Sequence, residues 1–157
     1  MTALFKYLGF LLYANMLAVG IAYIYLLKIR RRIGFHTVMN SATITGGFLA
    51  VVTGVILIYQ FPLHYVLVTI VTTVVGMGAG ALFGGLFDFK TLITGYTNGL
   101  MMGLMSPMIG AVAKNSTLFL LFIEVLFIFS IFLVICSSRK ELYAEDDNDS
   151  PEPSYDK

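Results

Sequence analysis

The stretch "GMGAGALFGGLFDFKTLITGYTNGLMMGLMSPMIG", residues 76–110, is too rich in glycine for an ordinary helix and too apolar for an ordinary loop. Its glycines are regularly placed. Gly76, Gly80 and Gly84 recur every fourth residue, and Gly95, Gly99 and Gly103 repeat the pattern beyond a charged break at Asp88-Phe89-Lys90. Residues four apart lie on one face of an α-helix. A column of small residues turns that face into a groove that another backbone can enter. In lipid no hydrophobic force pulls helices together, so this close contact has to hold them. The stretch therefore predicts two membrane helices, antiparallel, packed through their glycine columns and joined by a short turn.

The rest of the chain agrees with a membrane setting. Of its 157 residues 58% are hydrophobic and only 12% are charged, and the mean hydropathy is +0.87. A soluble domain carries about a quarter charged residues. The formal charge of +1 conceals an asymmetry: Glu141, Glu145, Asp146, Asp147, Asp149, Glu152 and Asp156 crowd the end, while Asp88 and Glu124 are the only acids before it. The basic residues of the body fall at the edges of apolar runs, which gives no reason to expect a nucleic-acid partner. The single cysteine, Cys136, rules out an internal disulfide and any multi-cysteine metal cage. The basic cluster Lys28, Arg30, Arg31, Arg32 follows the first apolar run instead of preceding it, so that run is read as a span and not as a secretory signal.

A helix needs about 20 apolar residues to cross the hydrocarbon core. Five segments qualify: residues 7–27, 38–59, 62–83, 92–112 and 117–136. The fourth is the most polar, and a re-entrant hairpin is its rival. Lysine and arginine in short loops mark the cytoplasmic side. Five crossings with the amino terminus outside place Lys28, Arg30, Arg31, Arg32, Lys90, Arg139 and Lys140 inside, and leave only Lys6 and Lys114 outside. The expected fold is thus an all-α, polytopic bundle of five transmembrane helices in the cell membrane, N-out and C-in. Residues 141–157, acidic and proline-containing, are expected to be a disordered cytoplasmic tail.

Two further helices carry small columns: Ala42, Gly46, Ala50 and Gly54 on the second span, and Ala14, Ala18 and Ala22 on the first. The fifth, bulky with Leu, Ile and Phe, is expected at the periphery. Such columns serve contacts within one chain or between copies, so a homo-oligomer or a larger membrane complex is an expected partner beside the bilayer itself.

Polar residues inside spans are costly and default to functional candidates. Glu124 stands in "LFLLFIEVLFIF", seven residues past Thr117, or about 10 Å deep at 1.5 Å per residue. Asn15, eight residues past Tyr7, should share its depth. At that level also fall Thr53, Thr69, Thr72, Thr73 and Ser106, which suggests a polar layer in the outer half of the bundle. A carboxyl that can take and release a proton there is what a coupled transporter requires; a hydrogen bond to Asn15 or a threonine as interhelical glue is the competing role. Asn98 sits beside the second glycine column with Thr94, Met101, Met102 and Met105. Pro107 removes a backbone donor and frees the Gly103 carbonyl. Freed carbonyls in broken helices bind ions in several transporters; a plain proline kink is the alternative.

Met101 and Met105 form MxxxM, and thioether sulfur suits Cu(I). Together with GxxxG, this resembles the pore of Ctr-type copper transporters. The resemblance covers those short motifs alone; that family has three spans and a methionine-rich outer segment, which "MTALFKYLG" lacks. His36 and His64 fall on opposite sides of the membrane and cannot share a metal. No Walker motif, GxSxG, HExxH or paired carboxylates occur on a span, so neither an enzyme nor a cofactor is expected. The sequence therefore points to a small transport or permeation component with Glu124, Asn15, Asn98, Thr53 and Thr72 as polar determinants. A non-catalytic accessory or assembly subunit is the second reading, and Cu(I) handling the third.

Overall fold

The structure, a computed structural model, describes residues 2–29, 35–86, 88–113 and 116–148. Those residues form five helices: α1 Thr2–Ile29, α2 Phe35–Gln60, α3 Tyr65–Gly85, α4 Phe89–Val112 and α5 Thr117–Asn148. Among the described residues there is no strand. Four helices, α1, α2, α3 and α5, are long and apolar enough to cross a membrane. The 24 residues of α4 span about 36 Å, but glycine, threonine, Asn98 and Ser106 dilute its apolar character. It is one uninterrupted helix and makes no hairpin reversal.

Helix boundaries follow local chemistry. Residues 61–64 form a turn in which the His64 amide donates to the Phe61 carbonyl at 3.1 Å, so α3 begins three residues later than the expected 62. Asp88 starts α4 early: its carboxylate accepts from the Phe89 amide at 2.8 Å, which satisfies one of the amides left open at a helix start. Past Lys140, α5 continues as helix through Asn148, beyond the boundary at which the disordered tail was expected. "RKELYAEDDN" holds strong helix formers, and no proline intervenes before Pro151. Residues 149–157, Arg30, Arg31, Arg32 and Lys114 lie outside the described residues, as do the side chains of His36 and of 141–148.

The centre of the molecule is a three-helix core of α2, α3 and α4, with α1 and α5 resting on α2. In the α3–α4 seam the two columns run against each other in antiparallel steps of four. A methyl placed on Gly76 would meet the Gly99 carbonyl oxygen at 2.6 Å; one on Gly80 would overlap the Gly95 carbonyl, and one on Gly84 would come within 2.6 Å of Leu92 Cα. Gly103 extends the ladder, with Thr73 Cα at 2.5 Å from the same hypothetical methyl. None of these glycines has left-handed backbone. Gly84, beside the turn, is small for close approach and not for turning.

The small column of α2 enters the same core. A methyl on Gly46 would meet Gly80 Cα at 2.7 Å, and Ala50 Cβ lies 2.7 Å from the methyl position of Gly76. Gly54 faces Ser106. One α3 column thus serves two partners, and α2 becomes the most enclosed helix. The seam of α1 differs from the expected alanine column: Leu8, Asn15, Val19, Ala22 and Leu26 are its buried positions, whereas Ala14 and Ala18 are half-buried. Tyr23 also meets Phe83 of α3 edge-on, with ring centroids 5.4 Å apart. Leu120, Ile123, Phe127, Ser130 and Val134 are the buried stripe of α5, and its opposite face is exposed.

Candidate functional site

Glu124 and Asn15 are brought together. The Asn15 side-chain amide donates to Glu124 Oε2 at 3.2 Å across 109 positions of sequence. Asn15 is buried and Glu124 is half-buried. Residues around them on both helices are apolar and largely exposed, including Tyr13, Leu17, Leu121, Val125 and Ile128. The pair therefore sits in the seam between α1 and α5, to one side of the glycine-packed core. An amide and a carboxyl can exchange a hydrogen bond whether or not the carboxyl holds a proton, because the amide is both donor and acceptor.

Thr72, Gly103, Ser106 and Pro107 form a second cluster, inside the core. Pro107 cannot donate to Gly103, yet α4 does not unwind. Thr72 Oγ1 of α3 donates to the Val68 carbonyl of its own helix at 2.6 Å and also lies 3.3 Å from the Gly103 carbonyl, which Ser106 Oγ reaches at 3.2 Å. Thr72 and Ser106 are fully buried. Two protein hydroxyls thus stand beside the freed carbonyl. Re-satisfaction by neighbouring hydroxyls is the usual way a membrane helix tolerates proline. Thr53, also buried, lies on α2 next to Gly54. The expected polar layer is therefore divided: Asn15 and Glu124 lie between α1 and α5, and the hydroxyls lie among α2, α3 and α4.

Asn98 belongs to neither. Its side-chain amide donates to the Thr43 carbonyl of α2 at 2.6 Å. Gly47 leaves room for it, since a methyl there would stand 2.6 Å from Asn98 Nδ2. Beside this contact a groove of about 200 Å³ opens between α2 and α4, walled by Ile44, Phe48, Val51 and Met102. Met101, Met105 and Met108 point away from the core, at 62%, 50% and 62% exposure. Met105 and Met108 line an open apolar pocket with Ile109, Val112 and Phe119.

Most threonines in the helices donate to their own backbone, among them Thr43 to Met39 at 2.8 Å and Thr69 to Tyr65 at 2.8 Å. This local bonding is what makes the polar start of α2 compatible with an apolar environment. Several polar residues escaped notice in the sequence. Tyr59 donates to the Ser116 carbonyl at 3.4 Å and ties the last turn of α2 to the start of α5. Ser130 and Ser138 are buried on α5, and their spacing with Ile123, Phe127 and Val134 was the available signal. The hydroxyls of Thr45 and Thr91 are buried without a partner.

No protein-family model, curated protein or solved structure shows significant similarity to the chain. Fold and composition define its class as an all-helical protein compatible with integral membrane insertion. Any narrower role has to be argued from its own residues.

Proposed function

We propose that the protein is a five-span integral protein of the cell membrane, amino terminus outside and carboxy terminus inside, and that it is a transport or permeation component in which Glu124 is the exchanging group. One observation carries the reading: an ionisable carboxyl deep in an apolar helix meets a single neutral amide, in a seam between two otherwise exposed helices. A purely structural seam is more cheaply built from apolar side chains, because a carboxyl in hydrocarbon is expensive. The glycine-packed core would act as the rigid support, and α1 and α5 as the elements that carry the site. The fourth crossing, α4, is supported by its length and by its burial between α2 and α3.

The test is flux in proteoliposomes under a proton or alkali-cation gradient. Wild-type protein is expected to pass a proton- or cation-dependent flux. Glu124→Gln, which keeps the hydrogen-bonding shape, is expected to abolish it while the melting temperature stays within a few degrees of wild type. Equal flux in the two proteins would overturn the reading.

A second reading is favoured by the occupied Gly103 carbonyl. The core seams are closed by backbone contact, and the carbonyl best placed to bind an ion already accepts from Thr72 and Ser106. A protein built in this way suits an accessory or assembly subunit of a larger membrane complex. That reading requires no flux from the pure protein and a partner that co-purifies in gentle detergent.

A further inference from the structure

The groove between α2 and α4 has two ends of different chemistry. Its walls are apolar, with Ile44, Phe48 and Val51 from α2 and Met102 from α4, and the Asn98 amide bridges their base. Helix directions decide what lies at each end. Gly47 meets Asn98, and Gly54 meets Ser106, so α2 and α4 run parallel. The Tyr59–Ser116 bond pairs the end of α2 with the start of α5, so these two run antiparallel. Gly9 of α1 lies near Gln60, the last residue of α2, so α1 is antiparallel to α2 as well. The starts of α2 and α4 therefore share one end of the bundle with the finishing turns of α1 and α5.

That end carries Lys28, Lys90, Arg139 and Lys140, all exposed. Lys90 is closest to the groove in sequence. It stands about two turns before Asn98 on α4, or about 12 Å along the axis. Of the acids at this end, Asp88 turns its carboxylate onto the Phe89 amide, and Glu141, Glu145, Asp146 and Asp147 follow Lys140 on α5. A cationic mouth leading to a narrow apolar trough matches the outline of a lipid with an anionic headgroup.

We infer that this groove is a binding site for one anionic phospholipid of the leaflet on the Lys90 side, with the phosphate at Lys90 and one acyl chain along Ile44, Phe48, Val51 and Met102. Basic residues beside an interhelical pocket select anionic headgroups, at about 1 kcal/mol for each lysine near the surface. Asn98 and Gly47 keep the trough open by holding α4 against α2 through an amide and not through a bulky side chain.

Native mass spectrometry of the full chain, released from nanodiscs of equimolar phosphatidylglycerol and phosphatidylcholine, tests this. Wild-type protein is expected to retain one phosphatidylglycerol, favoured over phosphatidylcholine by about fivefold or more, the ratio that corresponds to one lysine. Lys90→Gln is expected to lower that preference about fivefold without loss of fold. Ile44→Trp, or Val51→Phe if the tryptophan variant does not fold, is expected to fill the trough and remove the adduct of either lipid. Equal retention of the two lipids by wild type would overturn the site. So would an unchanged preference in Lys90→Gln, an adduct that survives in the folded trough-filling variant, or a lipid-free dimer as the species released.

Discussion

Gly80 and Gly95 touch through their backbones, and neither position has room for a side-chain carbon: a methyl on Gly80 would overlap the Gly95 carbonyl, and a methyl on Gly95 the Gly80 carbonyl. Backbone atoms cannot move aside as a flexible side chain can. Close approach of this kind also sets Cα–H groups against carbonyl oxygens, a weak contact that recurs between helices.

Gly80→Ala is therefore expected to destabilise the protein by about 1–3 kcal/mol, the range found for overpacked cores. Gly78 is the internal control, because a methyl there meets nothing within 4 Å. Gly78→Ala is expected to be neutral or to stabilise by up to about 1 kcal/mol through helix propensity. Denaturant titration in mixed micelles measures both; equal losses in the two variants would contradict the seam described.

The Asn15–Glu124 bond is expected to couple α1 to α5 energetically. A double-mutant cycle of Asn15→Ala and Glu124→Ala should return a coupling of about 0.6 kcal/mol, and at most about 1.7 kcal/mol, the range for hydrogen bonds between membrane helices. A coupling near zero, with both single variants folded, would mean the two side chains do not depend on each other.

Thr72 and Pro107 act on the same carbonyl. Thr72→Val removes the hydroxyl that bonds Val68 and lies 3.3 Å from the Gly103 carbonyl, and is expected to cost about 1 kcal/mol. Pro107→Ala restores a backbone amide to Gly103, so the loss from Thr72→Val should shrink when it is made in the Pro107→Ala background. Additive losses would show that Thr72 stabilises α3–α4 by another route. Thr72→Ser, which keeps the hydroxyl, is expected to behave nearly as wild type.

Orientation is open to chemical labelling. In a Cys136→Ser background, Leu63→Cys, at 92% exposure in the turn between α2 and α3, is expected to react from outside the cell with an impermeant maleimide. Lys90→Cys is expected to react only after permeabilisation. Labelling of both from the same side would mean that α3 does not cross, and labelling of Lys90→Cys alone from outside would invert the bundle; either result would overturn the five-span topology.

Length, hydropathy and spacing made much of the architecture readable before any coordinates. Helix identity follows from about 20-residue apolar runs, and the antiparallel pairing of α3 with α4 follows from glycines at every fourth position and a short charged break. The depth match between Asn15 and Glu124 was also legible, because rise per residue is constant in a helix. Which flank of α1 would be buried was not legible. Alanines at 14, 18 and 22 form a tempting column, yet Asn15, Val19 and Leu26 face inward, because the rotation of a helix about its axis depends on the surface it meets.

The sequence by itself determined that this chain is helical, apolar and built for close backbone contact, since those properties reside in single residues and their local periodicity. Only the tertiary structure decided that the Gly103 carbonyl is filled by Thr72, that the methionines face outward, and that Asn98 reaches Thr43 beside a groove. Each of these depends on which groups from distant segments share the same few ångströms. In hydrocarbon that matters more than in water, because a polar atom has no solvent to turn to and must find its partner on another helix or its own.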